Sequence, residues 1–240
     1  MKTFTLLITL TFNISLFCQG SSDLALVGSG PRSSTESLLD FNLSKLNGSF
    51  QFIDNNLLKK TENSNIKGSF YLYKNWKNKS SIITKNNKKY DLPNINFDLD
   101  IEKFISKTSK DSVFIYTDLK EVKISDNKFI KIENKYFEIL IDKPSKISFF
   151  KNYSGKLKKA VLNKMTNQQL RPAEYVKVIK YFTLKNNQLS EVKLSKKNIL
   201  KTIDPKNQKE IKKYIKDNKL SYKKEKDVLK ILTHNNKLTN

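Results

Sequence analysis

Few residues in this chain could act together as a catalytic set, and the clearest cluster is acidic. Asp98, Asp100 and Glu102 alternate along residues 98–102, and in a strand that spacing places all three carboxylates on one face. A carboxylate pair is the minimum for glycoside hydrolysis, and a carboxylate cluster can hold calcium. The run also reads as a solvated strand face with Phe97, Leu99 and Ile101 turned inward, as half-buried antiparallel strands are built. That second reading accounts for every residue in the run, so no catalytic residue is assigned. His234 is the only histidine, which removes His-centred triads and multi-histidine metal sites; it is expected to lie exposed in a polar tail. Cys18 is the only cysteine, which excludes cysteine-built metal sites and internal disulfides. A glycine-rich phosphate loop, a GxSxG elbow and a zincin helix are missing from the sequence. No metal and no cofactor is expected, and the chain is read as non-catalytic.

Binding chemistry has one aromatic candidate. Tyr71, Tyr73 and Trp76 stand beside Lys74, Lys77 and Lys79, a combination able to stack sugars or single-stranded bases on a basic face. Stranded domains also use such aromatics as core and cross-strand pairs. The candidate binding residues are therefore Tyr71, Tyr73, Trp76, Lys74 and Lys77.

Charge points the same way. The chain carries 46 basic residues against 23 acidic ones, a formal net charge of +23, which favours an anionic surface such as lipid headgroups or acidic glycan. Arg32 and Arg171 are the only arginines, whereas selective phosphate readers favour the bidentate guanidinium. An AT-rich genome would also encode this abundance of Lys, Asn, Ile, Tyr and Phe, and that compositional origin is the preferred explanation of the excess, although a field of this sign exists whatever produced it. Residues 195–235 contain 13 lysines and 5 acids, superficially like a helix-turn-helix. The lysines fall largely off the apolar stripes, as solvated faces should, and no nucleic acid is expected.

The evidence for export lies at the start. Lys2 precedes an apolar run over residues 4–17, followed by Cys18, Gln19, Gly20, Ser21 and Ser22. The run is shorter than the roughly 20 residues that span a bilayer, so residues 1–18 read as a signal peptide. A secreted or periplasmic product without a transmembrane segment is expected. Cys18 raises lipid tethering as a less favoured alternative, because Phe17 before it is not small.

Residues 19–37, rich in Ser and Gly, read as a flexible leader. Residues 38–194 read as an antiparallel β domain: a short helix near 38–46, a strand near 49–53, strand candidates at 68–73, 81–85, 95–100 and 112–116, then a meander. In that meander, turns are expected at Asp126-Asn127, Asn134-Lys135 and Lys143-Pro144, residues suited to tight turns. A strand over 146–153, a polar connector over 155–172, and a last hairpin across Asn186-Asn187 follow. Residues 195–235 change to a helical period, with Ser195, Asp204-Pro205 and Ser221 as start signals and Asn218 as a stop. Ile211, Tyr214 and Ile215 have the spacing of a buried helical stripe. The fold class is α+β: an antiparallel β-meander, open-barrel or sandwich-like, followed by a short C-terminal helical segment.

This order resembles an uncharacterised family of small secreted, lysine-rich proteins of Bacteroidota-type bacteria. The resemblance rests on GSFYLYKNW at 68–76, NINFDLDIEKFISKTSKDSVFIY at 94–116, KYFEILID at 135–142, and the run from KKNILKTIDP at 196 to KDVLKIL ending at 232. It implies secretion and kinship, with no activity or site residue. Sequence alone thus leads to a cell-envelope module that binds an unknown envelope protein, an anionic surface or a glycan. A structural envelope subunit and a carboxylate-dependent hydrolase are the alternatives.

Overall fold

Strand β1 (Phe50–Asp54) opens the part of the chain that the computed structural model describes, namely residues 50–54, 66–109, 112–142 and 146–238. The expected signal peptide, leader and first helix, and Cys18 with its tethering question, lie outside the described residues.

Two antiparallel sheets are assembled by strands that switch from one to the other at short corners. β2 (Lys79–Thr84) and β3 (Lys89–Pro93) form a hairpin in the larger sheet. Asn94 alone, at φ +60°, then turns the chain into β4 (Ile95–Asp98) of the smaller one. Asparagine tolerates the left-handed region that this corner needs. β5 (Lys103–Ser109) and β6 (Ser112–Tyr116) complete the small sheet, in the order β1-β6-β5-β4. Thr117 and Asp118 return the chain to the large sheet, where β7 (Leu119–Ile124), β8 (Asn127–Ile132), β9 (Lys135–Ile141) and β10 (Ser148–Lys158) form the expected meander. β11 (Val161–Leu162) and β12 (Gln169–Arg171) make a separate ribbon. β13 (Glu174–Lys185) and β14 (Gln188–Val192) finish the eight-stranded order β14-β13-β10-β9-β8-β7-β2-β3. The architecture is α+β with no closed barrel.

Aromatic and branched residues from both sheets meet between them. Phe104 lies 4.9 Å from Phe97, 4.8 Å from Tyr136 and 5.3 Å from Phe129, ring centre to ring centre and edge to face, the geometry that adds to simple area burial. Ile82, Leu92, Ile95, Val122 and Ile124 close this core. Ser106 and the Tyr116 hydroxyl satisfy each other at 2.9 Å inside it, as buried polar groups must.

The C-terminal segment covers the other part of the large sheet. α1 (Lys196–Thr202), a 3₁₀ turn (Pro205–Asn207), α2 (Gln208–Asp217) and α3 (Glu225–Lys237) bring Ile199, Ile203, Ile211, Ile215, Val228, Ile231 and Leu232 against Phe149 and Val192. Asn236 fastens α3 by accepting from the Ile147 amide at 3.1 Å and donating to its carbonyl at 2.9 Å.

Several local expectations shift. The turns at Ser125-Asp126 and Glu133-Asn134 fall one residue before those expected, with Ser125 and Glu133 at positive φ. Register is set by pairing Ile124 with Asn127 and Ile132 with Lys135, which buries Val122, Ile124, Phe129 and Tyr136. A one-residue slip would expose that whole set. Asn186 and Asn187 both take positive φ, the expected tight hairpin. Residues 68–73 form no regular strand; isolated bridges tie the chain to the sheets here, Lys67 to Glu174 just before the segment and Tyr71 to Asp98 within it. Ser195 caps α1 as expected. α3 starts at Glu225 rather than next to Ser221, whose amide instead donates to Asp227 Oδ2. Asp204 precedes Pro205 as expected but makes no side-chain cap, because Lys146 and Lys185 hold its carboxylate.

Candidate functional site

The acidic run is a turn rather than a strand face. β4 ends at Asp98, whose Oδ1 accepts from the amides of Asp100 at 2.8 Å and Ile101 at 3.2 Å. Asp98 is buried, and desolvation raises its pKa against the pull of those two hydrogen bonds. Asp100 is exposed, and Glu102 sits at φ +52°. The three carboxylates therefore do not share a face: strand period ends where the turn begins. His234 lies within α3 rather than in a free tail, stacked on Tyr214 with ring centres 3.9 Å apart.

The irregular segment over residues 69–78, bent at Phe70, Leu72, Lys74 and Trp76, sends the aromatic candidates to two sides. Tyr71 and Trp76 meet edge to face at 4.9 Å, over the outer face of the small sheet at Ile105, Val113 and Ile115. Lys107 Nζ stands 4.9 Å from the Trp76 ring centre and 5.8 Å from that of Tyr71. Tyr73 goes to the inter-sheet core, where its hydroxyl accepts from Asn127 Nδ2 at 3.0 Å and burial raises its pKa to about 12. Asn96 grips Tyr73 on both its amide and its carbonyl. Lys74 and Lys77 are exposed. Lys77 borders an open depression of about 880 Å³ shared with Lys79, Lys123, Asp91 and Asp126. The structure thus joins Tyr71 to Trp76 and separates both from Tyr73.

A buried ionic cluster went unread in the sequence. Lys151 on β10 places Nζ 3.5 Å from Glu138 Oε2 on β9 and 3.0 Å from Glu225 Oε2 at the start of α3. Tyr153 donates to Glu138, and Tyr181 donates to Glu225 at 2.7 Å. Burial, together with the neighbouring carboxylates, pushes both phenols well above their ordinary range. One lysine shared by two carboxylates, each also bonded by a tyrosine, makes a clasp between sheet and helix rather than an acid/base pair with a free proton site. Its signal was present: Lys151 has the parity of Phe149 and Tyr153, and Glu138 that of Tyr136 and Leu140.

The long β10–β13 hairpin is the second feature that sequence reading missed. In place of a polar connector, β10 runs through to Lys158, paired residue for residue with β13 from Ser148↔Leu184 to Lys158↔Glu174. Its base is braced. The Gly155 amide donates to the Leu99 carbonyl at 2.6 Å, and Lys67 bonds the backbones of Ala173 and Tyr175 at 2.9 and 2.8 Å. Beyond the brace the hairpin is exposed through β11 and β12. Asn163 organises the apex: its Oδ1 accepts from the amides of Met165 and Thr166, and its carbonyl from the Asn167 amide. Among the described residues the large hydrophobics that stay exposed are Leu157, Val161, Leu162, Met165, Leu170 and Ile179, all on this hairpin, with Met165 at 95 %. Residues 155–173 hold Lys156, Lys158, Lys159, Lys164 and Arg171 and no acid. The hairpin thus combines exposed apolar side chains with uniform positive charge.

No family model matches this chain, and comparison with the curated proteins and with the solved structures returns no significant match.

Proposed function

We propose that this protein is a non-catalytic envelope module, secreted or periplasmic after removal of residues 1–18, that binds an anionic surface or partner through its β10–β13 arm. The observation that carries the reading is the coincidence on one hairpin of every exposed large hydrophobic of the described residues with an acid-free, five-cation stretch. The net charge of +23 supplies a long-range field of the same sign. Among the described residues no helix is long and apolar enough to cross a membrane, which accords with a contact made at a surface.

The structural-subunit alternative draws on the same arm, since an exposed apolar patch can seat a neighbouring subunit. The hydrolase alternative has no comparable support: Asp98 closes a turn, and Glu138 and Glu225 are engaged by Lys151. Titration of the mature protein against anionic vesicles and acidic glycans at low and high salt tests the proposal. Binding that weakens as salt rises is expected. Absence of salt-sensitive binding to every anionic surface would remove it, and concentration-dependent self-association without such binding would favour the subunit reading.

A further inference from the structure

We infer that residues 156–173 form a docking finger for an anionic lipid bilayer, seating its apolar apex at the headgroup boundary. The inference rests on the surface-binding reading above and specifies both its site and its ligand.

Three features of the finger fit a bilayer. Its side chains have the mixed chemistry of an interface: Leu157, Val161, Leu162, Met165 and Leu170 are exposed, while Lys156, Lys158, Lys159, Lys164 and Arg171 are interspersed among them. Long cationic side chains can reach headgroup phosphates while their apolar neighbours enter the acyl boundary. Uniform positive charge selects anionic lipid; the first acid to follow along the chain, Glu174, sits at the base beside Lys158 at 3.9 Å. The apex backbone is also bonded within itself, since Asn163 donates to the Gln168 carbonyl at 2.8 Å besides accepting from Met165, Thr166 and Asn167. Few amides would need water at shallow depth, whereas the unpaired edges of a two-stranded ribbon forbid entry into the hydrocarbon core.

Preorganisation adds to this. The brace at Gly155, Lys67 and Tyr175 fixes the finger before contact, so binding orders few further residues. A protein partner with an acidic groove would exploit the same charge. The bilayer is favoured because the exposed apolar residues run from one strand through the apex to the other, Val161 and Leu162 on β11, Met165 in the turn and Leu170 on β12.

The test is co-sedimentation of the full mature chain with vesicles of zwitterionic lipid alone and with anionic lipid added. The wild type is compared with Leu162→Asp/Met165→Asp and with Lys158→Glu/Lys159→Glu. All four positions are exposed, so an unchanged melting temperature certifies folding. Each buried apolar side chain contributes about tenfold to partition, and each cation about fivefold at an anionic surface. Both variants are expected to bind anionic vesicles at least about tenfold more weakly than wild type, and zwitterionic vesicles are expected to bind little of any form. Wild-type affinity retained in the apex variant would overturn the finger while leaving binding by the other lysines intact. Salt-sensitive binding to an acidic glycan but to no vesicle would overturn the bilayer as ligand. Absence of both would remove the wider functional reading too.

Discussion

Replacing Lys151 by methionine should expose how the C-terminal helices are tied to the sheet. The change keeps most of the side-chain volume and removes the charge shared by Glu138 and Glu225. Side-chain exposure is 11 % for Lys151 and 8 % for Glu138, against 29 % for Glu225. Glu138 is therefore stranded, with Tyr153 as its remaining donor, whereas Glu225 can rehydrate and keeps Tyr181. Breaking a buried pair on one side costs about 3–5 kcal/mol; partial exposure of the second carboxylate places this case near the lower end, about 3 kcal/mol. For a domain of this size that corresponds to a fall in melting temperature of roughly 6–12 °C. Urea and thermal unfolding would measure it, and the double variant Lys151→Met/Glu138→Gln should recover more than half the loss, since the uncompensated charge is gone. A single-variant cost below about 1 kcal/mol, or no recovery in the double variant, would refute the clasp.

Three further outcomes follow from other contacts. Asp204 is bonded by Lys146 and Lys185, each at 2.8 Å, which together lower its pKa to about 2; a lowered folded pKa contributes stability above about pH 4 that is lost as pH falls toward 2. Asp204→Asn should cost about 1 kcal/mol at neutral pH, with the difference from wild type vanishing over that acid window in pH-dependent urea melts. Gly155→Ala would set a Cβ 3.1 Å from both Leu99 Cβ and Leu99 O, so a loss of about 1–3 kcal/mol and faster hydrogen exchange of the residue 155 amide are expected. Trp76→Ala should destabilise by about 2 kcal/mol as a partly buried cover for Ile105, Val113 and Ile115, and leave vesicle binding unchanged.

The legible parts of the fold were those where burial is one-sided. β7 reads as a strand because Val122 and Ile124 meet the inter-sheet core while Lys123 between them is exposed, and Ile211 with Ile215 marks α2 because one stripe meets the sheet. β5 was not legible: Phe104 faces the inter-sheet core while its neighbour Ile105 faces the Trp76 side, so burial on both faces erases the alternation. The arm escaped for the opposite reason. With both faces of β11 and β12 exposed, backbone pairing alone sustains it, and neither Lys158 nor Gln169 reports a buried side. The ionic clasp was hidden because a charge in a strand reads as a solvent face until opposite charges are seen in register, as Lys151 and Glu138 are. Tyr71, Tyr73 and Trp76 are legible as aromatics, but their division between two cores depends on the bends of an irregular segment that carries no period to read.

Depth at the apex is the most direct measure of the central claim. Met165→Trp adds an indole to a chain whose own tryptophan, Trp76, packs against the small sheet; subtraction of the wild-type spectrum isolates the apex signal. On binding anionic vesicles, that emission should shift to shorter wavelength and be quenched by brominated acyl chains, with both effects reversed by salt. Emission at the wavelength of water-exposed indole, unquenched while the protein sediments with the vesicles, would contradict the account.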